Sequence, residues 1–140
     1  MSTSPADFNA KVIDEFRANG GRVGGNFEDM PILLLHHTGA RSGVQRINPV
    51  AYQADGGRYA IFASKGGAPT NPAWYHNLKA HPDTTIEVGT QTLSVRASEA
   101  TDGERDRLFD AQAERMPQFA EYAERTSRTI PVVVLTPRAG

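Results

Sequence analysis

Two short glycine-bearing stretches hold most of the residues in this chain that could do chemistry. The first, Thr38-Gly39-Ala40-Arg41-Ser42-Gly43-Val44-Gln45-Arg46, sets two arginines, a serine and a threonine around two glycines. Glycine lets backbone amides come close to an anion, and the planar fork of arginine matches phosphate or carboxylate. The same residues would also suit an ordinary hairpin turn with solvent-facing arginines. The second, Ser64-Lys65-Gly66-Gly67-Ala68, places a cation and two glycines just before a helix start at Asn71-Pro72. Helix amino termini attract anions through free N–H groups and the macrodipole. Neither stretch is specific alone, but together they point to one multiply charged, phosphate-bearing ligand. Neither is a Walker loop or a Rossmann fingerprint.

Other chemistry is poorly represented. His36 and His37 are adjacent in an expected strand, so they point to opposite faces and cannot chelate one ion. His76 and His81 straddle a helix end, and no His-Glu-x-x-His pattern exists, so no metal site is expected. There is no Gly-x-Ser-x-Gly elbow, no carboxylate pair in the middle of the chain, and no cysteine at all. Phosphate-type loops without a nucleophile or metal suit chemistry borne by a cofactor that the protein binds and orients. On the helix after Pro72, Trp74 and Leu78 are four apart and read as core. Asn77 lies near the same face and reads either as solvated or as bonding a polar heterocycle.

These residues need elements to position them. At 140 residues with 39% hydrophobic and 22% charged residues, the chain is expected to be one globular domain, 1–140. Ser4-Pro5-Ala6-Asp7 opens an amino-terminal helix of about 5–18, with Phe8, Val12, Ile13 and Phe16 as its apolar stripe and Asn19-Gly20-Gly21 as its stop. Strands are expected at Ile32–His36, Gln45–Ala54, Tyr59–Ser64, Thr84–Val88, Gln91–Ala97 and Pro131–Thr136. Asn48-Pro49 interrupts the second, which implies an edge or a bulge because proline cannot donate to the ladder. Thr101 to Glu104 reads as a capping box opening a helix with Leu108, Phe109 and Met116 on its apolar side. Pro117 breaks that helix, and Phe119 to Tyr122 make a further turn or two. Six mainly antiparallel strands with inserted helices predict an α+β fold, a small barrel.

Charge and hydropathy narrow the partners. From His36 to His81 there are five basic residues, Arg41, Arg46, Arg58, Lys65 and Lys79, against one acid, Asp55, although the net charge of the chain is -1. A basic middle in a mildly acidic protein favours a local anionic ligand over a nucleic-acid surface. The longest apolar runs, Ile32–Leu35 and Val132–Leu135, fall far short of the ~20 residues that span a bilayer. With no signal-peptide stretch at the start, a cytoplasmic location is expected. The exposed strand edge of a small barrel leaves room for a homodimer.

With these motifs in order, the sequence resembles the deazaflavin (F420)-dependent nitroreductase family. The resemblance runs from about Gly25 to Pro137 through Leu33-Leu34-Leu35, Thr38-Gly-x-Arg-Ser-Gly43, Arg46-x-Asn-Pro49 and Ser64-Lys-Gly-Gly67. It continues through Asn71-Pro-x-Trp-Tyr75, Asn77-Leu-x-Ala80, Glu104-Arg-Asp106 and Arg128-Thr-Ile-Pro-Val-Val-Val134. It implies a split β-barrel related to FMN-binding oxidoreductases, with coenzyme F420 in a groove beside it. It further implies hydride transfer from reduced F420 to a small organic acceptor such as a quinone, an enone or a nitro compound. By the family pattern, Arg41, Ser42, Gly43, Arg46, Lys65, Gly66 and Gly67 fall at the phosphate end of the cofactor. Asn48, Pro49 and Asn77 fall along the deazaflavin, Trp74 supports the wall, and Ser64 and Tyr122 line the acceptor side. Ala40 stands where many members have arginine, which removes one contact to the anionic tail. Ala51, Phe119 and Arg125 stand where the nitroimidazole-activating member has tyrosines, which leaves the cofactor site largely intact and argues against nitroimidazole reduction. Two other readings stay open, an FMN-dependent reductase of the same barrel and a non-catalytic F420-binding or storage protein.

Overall fold

The structure, a computed structural model, describes residues 5–21, 31–64, 70–127 and 129–138, with the side chains of 5–9 and 102 left out of account. Helix α1 is Pro5–Ala18, followed by β1 Ile32–Thr38, β2 Gln45–Asp55 and β3 Arg58–Phe62. Next come α2 Ala73–Ala80, β4 Asp83–Val88, β5 Gln91–Glu99, α3 Asp102–Arg115, α4 Gln118–Arg125 and β6 Val132–Pro137. The strands close into an antiparallel barrel in the order β1-β2-β3-β6-β5-β4, as the α+β expectation required. The β1–β4 seam is short, pairing only Leu34 with Glu87 and Leu35 with Ile86.

Alternation along the strands sorts the core into an inside and two outsides. Leu33, Leu35, Ile61, Ile86, Val95 and Leu135 fill the interior, and Trp74, Tyr75 and Leu78 of α2 plug one end. Outside, Val12 and Phe16 of α1 cover Ile32 and Leu34. Leu108, Phe109 and Phe119 of α3 and α4 cover Ala60, Phe62, Val132 and Val134. This double covering explains why Ile32–Leu35 and Val132–Leu135 are continuous apolar runs and not alternating ones. Phe16 is 1% exposed, and its burial contributes about 2–3 kcal/mol to the docking of α1.

Several local expectations change in detail. Pro49 does not interrupt β2, because β3 joins the ladder only from Tyr52 and the proline, opposite Leu34, has β1 as its one neighbour. It is an edge in that sense. Thr101 does occupy the cap of α3, but its backbone carbonyl takes the Glu104 amide while its side chain makes no cap bond. The Glu104 carboxylate instead approaches Arg58 at 3.7 Å. Helix α2 starts at Ala73 with Pro72 in the cap position, one residue later than an Asn71 cap would give. Pro117 separates α3 from α4 as expected. Ser4 and most of the expected Gly20–Asp29 loop lie outside the described residues. At the end of α1, Gly20 and Gly21 adopt positive φ, and a Cβ on Gly21 would stand 2.6 Å from the Gly89 Cα, so helix and β4–β5 turn meet backbone to backbone.

Candidate functional site

The β1–β2 connection is a tight turn. The Gly39 amide donates to the Val44 carbonyl at 2.9 Å, and Gly43, at φ 71°, donates to Gly39 at 3.0 Å. An L side chain rarely adopts that angle, which accounts for the glycine. The Ser42 hydroxyl accepts the Val44 amide at 3.2 Å, leaving its own proton free to donate. Arg41 and Ser42 stand exposed on this turn.

The register of β1 on β2 sets His37 opposite Arg46 and Leu35 opposite Asn48, so His37, Arg46 and Asn48 share a face. Pro49 projects to the other face, toward Leu34, and does not line the site. On α2, helical spacing turns Ala73, His76 and Asn77 to one side and Trp74, Tyr75 and Leu78 into the core. The two surfaces enclose an open groove of about 760 Å³ lined by His37, Gly39, Ala40, Arg41, Ser42, Arg46, Asn48, Ala73, His76 and Asn77. No carboxylate lines it among the described residues.

At its floor lies a chain of hydrogen-bonded polar groups, buried at its centre. The Ala40 backbone amide donates to Asn77 Oδ1 at 2.9 Å, Asn77 Nδ2 meets His37 Nδ1 at 2.9 Å, and His37 Nε2 meets Asn48 Oδ1. His37 is 3% exposed and Asn77 7%. Burial pushes the His37 pKa below its ordinary value against the opposing bond to Asn48, and the nearby Arg46 and His36 push the same way. His36, on the opposite face, bonds Glu87 at 2.7 Å, and Glu87 also receives both Arg17 donors at 3.1 and 2.8 Å. The two histidines therefore diverge as strand alternation required.

The groove brings together Arg41, Ser42, Arg46, Asn48 and Asn77 from the sequence-based set, with Gly43 closing the turn beside them. Trp74 packs in the barrel interior and does not line the groove. Ser64 is buried just past β3, also off the groove lining. Tyr122 sits on α4 with its ring 5.3 Å from Phe119, in the apolar cluster that α3 and α4 form on the barrel. Lys65, Gly66 and Gly67 lie outside the described residues. Asn77 is buried and not solvated; the turn takes one bond at its Oδ1 and His37 one at its Nδ2, which leaves a second amide hydrogen and a second lone pair. Sequence reasoning missed His37 and His76 as groove residues. Spacing carries only part of the signal: His37 is two residues beyond Leu35 and so shares its face, and His76 is three beyond Ala73 on the helix, but neither spacing says that the two faces meet.

Comparison with known proteins follows the same lines. A family model described as F420H(2)-dependent quinone reductase matches residues 10–137. An F420H(2)-dependent quinone reductase of Mycobacterium tuberculosis is 44% identical over 127 residues, which cover 88% of this chain and 85% of that protein. A solved structure described as an F420-H2 dependent reductase, FDR-A, superposes with a TM-score of 0.69 at 40% identity, covering 75% of this chain and 93% of that one. Another, described as a domain-swapped dimer, has a TM-score of 0.71 at 36% identity and covers 94% of this chain and 99% of that one.

Proposed function

We infer the function from one premise: the chain belongs to the F420H(2)-dependent quinone reductase family, and is an oxidoreductase that uses coenzyme F420 to reduce a small organic acceptor. Its closed six-stranded barrel is the split barrel of that group. When bound in reduced form, the deazaflavin supplies the hydride. The residues of this chain supply binding, orientation and exclusion of water, which lower a barrier by several kcal/mol.

One observation supports placing the cofactor in the groove. Arg17, Arg58, Arg96, Arg105, Arg107 and Arg138 each pair with a carboxylate. Arg41, Arg46, Arg115 and Arg125 have no such partner among the described residues, and of these four only Arg41 and Arg46 line the groove. Two adjacent unneutralised guanidinium groups in an open groove without carboxylates fit an anionic ligand. Arg41 and Arg46 would hold the phosphate-bearing end, with the free Ser42 proton as a further donor. Asn48 and the exposed His76 would flank the ligand beyond them. Lys65, Gly66 and Gly67 join this set on the family pattern. Asn77 holds the turn and keeps a second amide hydrogen for the ligand, and Trp74 supports α2 from behind. Ser64 and Tyr122 are assigned to the acceptor.

The chain would work as a protein of one domain. Among its described residues no helix is long and apolar enough to cross a membrane. Pairing of two copies is proposed from the domain-swapped relative, and light scattering in solution checks it. The function itself is tested by following the absorbance of reduced F420 against quinones, enones and nitroaromatics. Steady oxidation with quinones is the expected result. Tight F420 binding with no turnover on any acceptor would make the chain a carrier, and yellow protein carrying FMN would make it a flavin enzyme.

A further inference from the structure

We propose that His37, fixed in one ring tautomer, is a positioning residue of the groove: it ties the turn that carries Arg41 and Ser42 to α2 and β2. The proposal rests on the reading above that these arginines take the phosphate-bearing end of the cofactor.

The tautomer follows from donor and acceptor identities. A backbone amide can only donate, so the Ala40 N–H at 2.9 Å fixes the Asn77 atom that receives it as the oxygen. The other end of that amide, Nδ2, is then a donor aimed at His37 Nδ1, 2.9 Å away, and Nδ1 must accept. The single ring proton is left on Nε2, where Asn48 Oδ1 receives it. Every bond in the chain points one way, from the turn through α2 and β1 to β2, and every donor meets an acceptor. A second proton on Nδ1 would face the Asn77 amide hydrogens. If Asn77 rotated to accept it, the Ala40 N–H would lose its acceptor, and the turn its bond to α2. Burial and the neighbouring Arg46 and His36 oppose that second proton as well.

The chain matters for binding because of what it joins. The Gly39–Val44 bond closes the hairpin on itself but ties it to nothing else. The Ala40–Asn77 bond links this turn to α2, and His37 holds the Asn77 amide in the orientation that makes it. Without the imidazole the turn keeps its shape but not its place, and Arg41 no longer stands at a set distance from Arg46 and His76. The loss should fall on the charged end of the ligand, not on the ring.

The test compares binding of F420 with binding of the phosphate-free deazaflavin core, using wild type, His37→Phe and the double variant Arg41→Ala/Arg46→Ala. The expected result is a wild type that prefers F420 over the core, and a His37→Phe protein that loses about tenfold in F420 affinity with core affinity kept. Equal losses for both ligands would mark His37 as a merely structural residue, and full retention of the F420 preference would also overturn the proposal. A wild type indifferent to the phosphate, or a double arginine variant that keeps the preference, would instead sink the reading of the arginines on which it rests. Nitrogen NMR of the wild-type ring needs no variant. It should show a protonated Nε2 and a bare Nδ1 near neutral pH, and an imidazolium or the Nδ1–H form would refute the proposal even if His37→Phe did not fold.

Discussion

Replacing Asn77 with alanine should destabilise the protein far more than its polar character suggests. Asn77 is 7% exposed, and its removal strands the Ala40 N–H and His37 Nδ1, each of which has it as a partner. Leaving the buried His37 Nδ1 without a partner costs about 1–3 kcal/mol, and losing the half-buried Ala40 bond, whose N–H can turn to water, adds about 1 kcal/mol. The sum is roughly 2–4 kcal/mol. For a chain of 140 residues the unfolding entropy is about 0.3 kcal/mol per degree, so Tm should fall by roughly 7–14 °C. Asn77→Asp separates the hydrogen bonds from simple truncation. The carboxylate still accepts from Ala40 but presents only lone pairs to His37 Nδ1, so that nitrogen must carry a proton. The negative charge beside it, together with the Asn48 acceptor at Nε2, favours the doubly protonated ring. Its folded pKa then rises above the unfolded value, and the stability it contributes is present at low pH and lost as pH rises through the folded value. Wild type should show the opposite slope, because its His37 pKa is depressed by burial. Urea denaturation of the three proteins from pH 5 to 8 measures both effects. A cost for Asn77→Ala under ~1 kcal/mol, or parallel pH slopes for wild type and Asn77→Asp, would refute the reasoning.

Three further outcomes are expected. Wild type should lose stability as pH falls below about 6.5, where unfolded His37 takes a proton that the folded ring resists, and His37→Phe should flatten that part of the urea-midpoint profile. Gly21→Ala should cost more than Gly43→Ala in the same assay: both positions need positive φ, at about 1–2 kcal/mol, but only at Gly21 does the new Cβ run into backbone, at Gly89. Arg17→Ala should cost only about 0.5 kcal/mol by chemical denaturation despite its two-point bond to Glu87, because half of the arginine side chain is in water.

How far the sequence could be read shows in particular residues. The six strands lie where alternation and turn glycines put them, with ends moved by a few residues where a partner strand extends the ladder, as Thr38 does opposite Gln45. The cationic turn at 38–46 was legible because glycine, arginine and serine carry their chemistry locally. Trp74 as core was legible from its spacing to Leu78. What was not legible depends on contacts between distant residues. Asn77 meets Ala40 across 37 residues and His37 across 40, and only the packing of α2 against the barrel mouth makes that pair buried and mutually satisfied. His37 looked inert because alternation separates it from His36 without saying which of the two a helix will cover. Tyr122 is placed on the acceptor side by resemblance alone; what the structure adds is its packing against Phe119 on the α3–α4 side of the barrel.

Binding of the cofactor in the groove requires that the arginines of the β1–β2 turn and strand, Arg41 and Arg46, hold its anionic end. Titrating F420 into Arg41→Ala, Arg46→Ala and the double variant measures this directly. Each single change should weaken binding by about 1–3 kcal/mol, some fivefold to 150-fold, and the double variant by more than either. Wild-type affinity in all three proteins would contradict it.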